Sequence, residues 1–215
     1  MLVPFHDLTD DQLARVIAIY EEALAAAWEW PPERLREIAR QRGASTLALA
    51  ALEDGEPAGF IILDHLPGGR MWYIRYFAVR EDLRGQGWGS RILAAALAAG
   101  QEDAVRAGRS GNRGTLLEAE AIDGGLSGPV RTLRMRRQAF YRRHGALVTG
   151  ALTPRWPDAP AAMPDFDLLF IPARGWEGAI DGGFRRDIVR SLMVEGYGVP
   201  EDAPWLVAAL DRYGA

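Results

Sequence analysis

Residues 72–93 read WYIRYFAVREDLRGQGWGSRIL. The apolar, aromatic run 73–79 predicts a buried strand. A polar turn with Arg84, Gly85, Gln86, Gly87, Trp88 and Gly89 follows, and Ser90 opens an alanine-rich helix running to about residue 99. Strand, glycine-rich turn and helix start together make an anion site. Glycines lack the Cβ that would keep successive N–H groups from a phosphate, and the helix N-terminus adds partial positive charge. A dinucleotide fingerprint fits worse, because its third glycine would stand at position 90, which is Ser90.

The rest of the composition narrows the chemistry. At 215 residues the chain has room for one domain and an appendage, and its 48% hydrophobic and 25% charged content is ordinary for a globular protein. A net charge of −4 makes it a poor default binder of nucleic acid or anionic membrane. The absence of cysteine excludes thiol nucleophiles, disulfides and zinc–thiolate sites. With only His6, His65 and His144, no metal site is expected. All 25 basic residues are arginine, which excludes lysine Schiff-base chemistry and a P-loop lysine. The first residues show neither a basic nor an apolar leader region, and the longest purely apolar run, 92–99, is too short to span a bilayer. A cytoplasmic location is the expectation.

Around the opening stretch the elements fall into order. Thr9 followed by Gln12 fits a capping box, with Leu13, Val16, Ile17, Tyr20 and Leu24 at helical spacing behind it. Pro31 and Pro32 suit the first turn of a second helix ending before Gly43. Strand-like runs at 46–52 and 59–66 are joined by a turn at 53–57, and Pro67-Gly68-Gly69 turns into the strand starting near Met71. Later come a strand at 115–122, an arginine-rich helix from about 130 to 144 ended by Gly145, and short strands at 146–149 and 167–171. Residues 183–196 and 204–214 read as two amphipathic helices. The order predicts a mixed α/β domain over residues 1–172, with a mostly antiparallel central sheet flanked by helices, and a two-helix extension over 173–215.

Two motifs then resemble a known family. Arg84-Gly85-Gln86-Gly87-Trp88-Gly89 is similar to the Arg/Gln-x-x-Gly-x-Gly/Ala pattern of the GCN5-related N-acetyltransferases (GNAT), and AFYRRHGA at 139–146 resembles that family's second signature. The resemblance implies acetyl-CoA as co-substrate, its pyrophosphate held by backbone N–H groups of Arg84, Gly85, Gln86, Gly87, Trp88, Gly89 and Ser90. It also implies main-chain contacts from Phe77, Ala78 and Val79 to the pantetheine arm, one amide lying near the thioester carbonyl. Arg80, Arg84 and Arg91 stand close to this cradle in sequence.

Acetyl transfer to an alkylamine needs a base for the ammonium proton and an acid for the departing thiolate. By the same resemblance Tyr141 is the candidate acid. Glu118 is the candidate base: it shares a strand face with Glu120, and carboxylates within an apolar strand are costly unless paired or used. A salt bridge of Glu118 to Arg75 is the plain structural alternative. Other family members carry their glutamate on the preceding strand, where this chain has Tyr73. Trp28, Trp30, Glu120 and Trp156 are the acceptor-side candidates, an aromatic and acidic set suited to a small cationic amine. The expected activity is N-acetylation of a small-molecule primary amine. The alternatives are acetylation of a protein N-terminus or lysine, and a CoA-binding module without catalysis. The C-terminal helices are candidates for homodimerisation or for closing over the acceptor.

Overall fold

The computed structural model describes residues 2–24, 30–41, 45–108, 111–122, 125, 127–161 and 163–214. Within them the chain forms β1 (Leu2–Pro4), α1 (Asp10–Ala23), α2 (Pro32–Arg40), β2 (Thr46–Glu53), β3 (Glu56–Leu66), β4 (Met71–Val79) and α3 (Trp88–Arg106). There follow β5 (Gly114–Glu120), α4 (Gly128–Arg143), β6 (Leu147–Leu152), β7 (Phe166–Pro172), α5 (Gly182–Ser191) and α6 (Pro204–Asp211). The strands are ordered β1-β2-β3-β4-β5-β7-β6, with antiparallel pairing of β1 with β2, β2 with β3, β5 with β7 and β6 with β7. This is the mixed, mostly antiparallel α/β fold expected from the sequence. Among the described residues no helix is long and apolar enough to cross a membrane.

Local chemistry explains the element starts. The Thr9 side chain accepts from the Gln12 backbone while the Gln12 side chain caps Thr9 in return, and Pro32 sits in the first turn of α2. The boundaries of α3, β6 and α5 depart from the sequence reading. α3 starts at Trp88 rather than Ser90, capped by Gly87, and continues to Arg106 rather than ending near residue 99. Ala96, Gly100 and Ala104 are buried at four-residue spacing, so close packing of a small-residue stripe outweighs the helix cost of Gly100. β6 runs past residue 149 through Gly150, whose φ of +74° takes up a register shift against β7. α5 stops at Ser191, and residues 192–196 form a single π turn.

The chain divides into two compact units, residues 1–65 with 74–108 and residues 66–73 with 109–215. The first buries Phe5, Val16, Tyr20, Leu35, Phe60, Ile62 and Tyr76. The second buries Leu116, Leu168 and Phe170 from the sheet against Phe184, Ile188, Leu192, Leu206 and Leu210 from the C-terminal helices. Each such side chain is worth about 1.5–3 kcal/mol on burial, so the C-terminal helices are integral to the second core.

Candidate active site

The end of β4 and the turn after it lie in the first unit. Arg80, the residue after β4, donates its N–H to the Ala58 carbonyl of β3 at 3.0 Å. Gly59 on β3 allows a close approach there: a Cβ at this position would stand 2.5 Å from the Ala78 oxygen and 2.9 Å from Ile92 Cδ1. The sequence reading passed over Gly59, which sets the main chain of Ala78 and Val79 against α3. Gly85 and Gly87 adopt φ of +81° and +82°, the left-handed region that a Cβ disfavours. A Cβ on either would meet nothing within 4 Å, so backbone conformation, not packing, requires glycine there. The first hydrogen bond of α3 runs from Arg91 N–H to the Gly87 carbonyl, so the Trp88 and Gly89 amides precede the helical ladder. This arrangement fits a pyrophosphate.

The arginines beside the cradle are differently engaged. Arg84 donates to the Val79 carbonyl at 3.1 Å and to Glu22 at 2.9 Å, both in exposed positions. Arg80 pairs with Asp82, which raises the guanidinium pKa and lowers that of the carboxyl. The Arg91 guanidinium stacks 3.7 Å over the Trp88 ring.

The second unit holds the candidate base. Glu118 on β5 accepts from Tyr73 and Tyr197 on Oε2, the latter at 2.6 Å, and from Thr153 on Oε1. Tyr73 and Tyr197 hydroxyls stand 3.3 Å apart. Within the second unit Glu118 forms no ion pair among the described residues. Arg75 pairs with Asp64, which also accepts from Thr46 at 2.8 Å. The other carboxylate of the strand meets cations: Glu120 accepts from Arg137 at 2.7 Å and lies 3.7 Å from Arg134. An arginine never gives up its proton, whereas hydroxyls both donate and accept. Glu118 therefore sits in a network able to pass a proton on, and Glu120 does not.

Tyr141 on α4 packs edge-on against Phe140, with centroids 5.2 Å apart, and its hydroxyl has no hydrogen-bond partner among the described residues. Burial pushes its pKa up to about 12, with Arg137 pulling the other way. It therefore keeps its proton throughout the neutral range. Of the acceptor candidates, Trp28 lies outside the described residues. Trp30 is tied into the first unit by hydrogen bonds to Tyr20 and Tyr76 and by the Arg75 guanidinium 4.8 Å over its ring. Trp156 faces Tyr197 at 6.0 Å between centroids. Tyr197 was absent from the sequence reading.

The strand, turn and helix of the cradle coincide with a recognised sequence family: residues 13–110 match the Acetyltransferase (GNAT) family. Residues 13–110 carry a GNAT acetyltransferase domain. The matched span ends before β5, so Glu118 and Tyr141 lie beyond it. No curated protein sequence matches the chain. Among solved structures, a GNAT-family protein from Bacteroides thetaiotaomicron aligns over 93% of this chain and 99% of its own, at 22% identity and TM-score 0.66. An aminoglycoside 6′-N-acetyltransferase complexed with coenzyme A aligns over 81% of this chain and 98% of its own, at 18% identity and TM-score 0.59. The ribosomal-protein-S18-alanine N-acetyltransferase of Escherichia coli aligns over 83% of this chain and 98% of its own, at 18% identity and TM-score 0.55. At such identities the likeness is one of fold, and it extends the GNAT architecture past residue 110.

Proposed function

We propose that this GNAT protein moves an acetyl group from acetyl-CoA directly onto a primary amine of a small molecule. The observation that carries the reading is the Glu118 carboxylate, held by three hydroxyls and by no cation among the described residues of its unit. A carboxylate has about four lone-pair sites. Tyr73 and Tyr197 occupy two on Oε2 and Thr153 one on Oε1, which leaves a site on Oε1 for an ammonium or water proton. The rings of Tyr73 and Trp156 flank Tyr197 at 6.4 and 6.0 Å, giving the carboxylate aromatic neighbours of the kind that attract organic cations.

In this reading the amides of residues 84–90 hold the pyrophosphate, and main-chain groups of residues 77–79 hold the pantetheine arm. The coenzyme supplies a thioester. Glu118 takes the proton of the bound ammonium, the freed amine attacks the thioester carbonyl, Tyr141 gives its proton to the sulfur as the carbon–sulfur bond breaks, and the second nitrogen proton, released as the amide forms, restores the Tyr141 hydroxyl. Removing the base or the acid costs on the order of 10²–10⁴-fold in rate.

A panel of primary amines with acetyl-CoA, read by free thiol and by mass of the product, tests the reading. Turnover of small amines, lost in a Glu118→Gln, Tyr141→Phe double variant, is the expected result. Acetylation confined to peptide N-termini or lysines would replace the small-molecule acceptor with a protein. Failure to bind the coenzyme would remove the donor.

A further inference from the structure

Tyr197 lies in the C-terminal segment, 79 residues from the carboxylate it touches. The backbone there is built to deliver it. Residues 192–196 form a π turn, in which the Tyr197 N–H donates to the Leu192 carbonyl at 3.0 Å, five residues back. An extra residue in a helical turn rotates everything after it, and such turns recur at functional sites. Glu195, inside the turn, accepts from the Gly68 N–H at 3.0 Å. A Cβ at Gly68 would sit 2.2 Å from the Glu195 carboxylate, so a side chain there would push that carboxylate aside. Trp156 supports the Tyr197 ring on the other side. Tyr197 nonetheless keeps 38% of its surface exposed, so the carboxylate network reaches solvent through this residue.

We infer that Tyr197 is a positioning residue of the acetyl-transfer site and that the C-terminal segment completes this site. This rests on the reading of Glu118 as the base. With Tyr73, it fixes Oε2 and turns the remaining acceptor position of Oε1 toward the incoming amine. Its hydroxyl, in contact with both Glu118 and Tyr73, is also the outlet for the proton that Glu118 collects: turned from donor to acceptor, it takes that proton and releases its own to water. An aromatic phenol is needed for both tasks, since the ring is held by Trp156 and only the hydroxyl reaches the carboxylate.

The test compares wild type, Tyr197→Phe, Glu118→Gln and the double variant, with acetyl-CoA as donor and benzylamine and 1,4-diaminobutane as acceptor probes. Tyr197→Phe keeps the ring and removes one hydrogen bond to a charged group, so kcat/KM for the amine falls about tenfold. The KM for acetyl-CoA stays within about twofold and the melting temperature stays near that of wild type. In the Glu118→Gln background the same substitution adds little, since residues acting as one unit are not additive. A Tyr197→Phe rate within twofold of wild type, or a full additional loss on top of Glu118→Gln, overturns the inference while leaving the base in place. Wild-type activity in Glu118→Gln, or a wild type inert toward both amines, overturns the base and this inference together.

Discussion

Gly59→Ala probes the part of the cradle that sequence motifs do not mark. Gly59 is not in the left-handed region, so alanine meets no backbone strain there. In open space the exchange would stabilise by about 0.4–1 kcal/mol through the unfolded chain. Here the added methyl stands 2.5 Å from the Ala78 carbonyl oxygen, 2.9 Å from Ile92 Cδ1 and 3.1 Å from Val79 Cα. Two of these are main chain in a buried strand and cannot swing away. Overpacking of this kind costs about 1–3 kcal/mol, and the expected net loss is about 2 kcal/mol. For a chain of this size that is a melting-temperature drop of roughly 4–8 °C. The strain falls on Ala78 and Val79, so the KM for acetyl-CoA rises about tenfold, as displacement of positioning groups does. Adding Ile92→Val removes the Cδ1 contact and recovers part of the loss, but not the part due to the carbonyl. Urea unfolding and coenzyme titration of both variants read these effects. A Gly59→Ala protein as stable as wild type, with unchanged coenzyme affinity, would refute the reasoning.

Two further perturbations follow from the ionisable groups. The Tyr141 pKa of about 12 lies above its ordinary 10.0, so the folded state holds this proton more tightly than the unfolded state. Stability from this source is full below pH ~10 and is lost between pH ~10 and ~12, by about 2–3 kcal/mol; urea unfolding of Tyr141→Phe should show a flatter decline than wild type over that window, and parallel curves would contradict it. Asp64→Ala takes the carboxylate from Arg75, whose side chain is 7% exposed, and should cost about 3–5 kcal/mol, most of it regained in Asp64→Ala/Arg75→Met. A loss under about 1 kcal/mol in the single variant would show that water already serves the guanidinium.

The parts of the site legible in the sequence are the local ones. Gly85 and Gly87 stand in the turn between strand and helix where the sequence put them, Thr9 caps α1 as its spacing to Gln12 implied, and Gly145 has the positive φ of a helix stop. Glycine misled where tertiary packing overrode its local meaning, inside α3 at Gly100 and inside β6 at Gly150. Glu118 was visible as a carboxylate in an apolar strand, but its partners were not. Thr153, Tyr73 and Tyr197 lie 35, 45 and 79 residues away and meet it only through the sheet and the C-terminal turn. Arg75, the near-obvious partner by charge, is taken by Asp64 on β3. Charge alone does not choose among partners; strand register and side-chain reach do.

The central claim is that Glu118 removes a proton from the acceptor, and acceptor basicity tests it most directly. A benzylamine is protonated at pH 7 and needs a base, whereas an aniline is already neutral and does not. Acetyl transfer to matched benzylamines and anilines, compared in wild type and Glu118→Gln, separates proton removal from every other role of the residue. The account predicts a loss of at least about a hundredfold with benzylamines and less than about fivefold with anilines. An equal loss with both acceptors would contradict it.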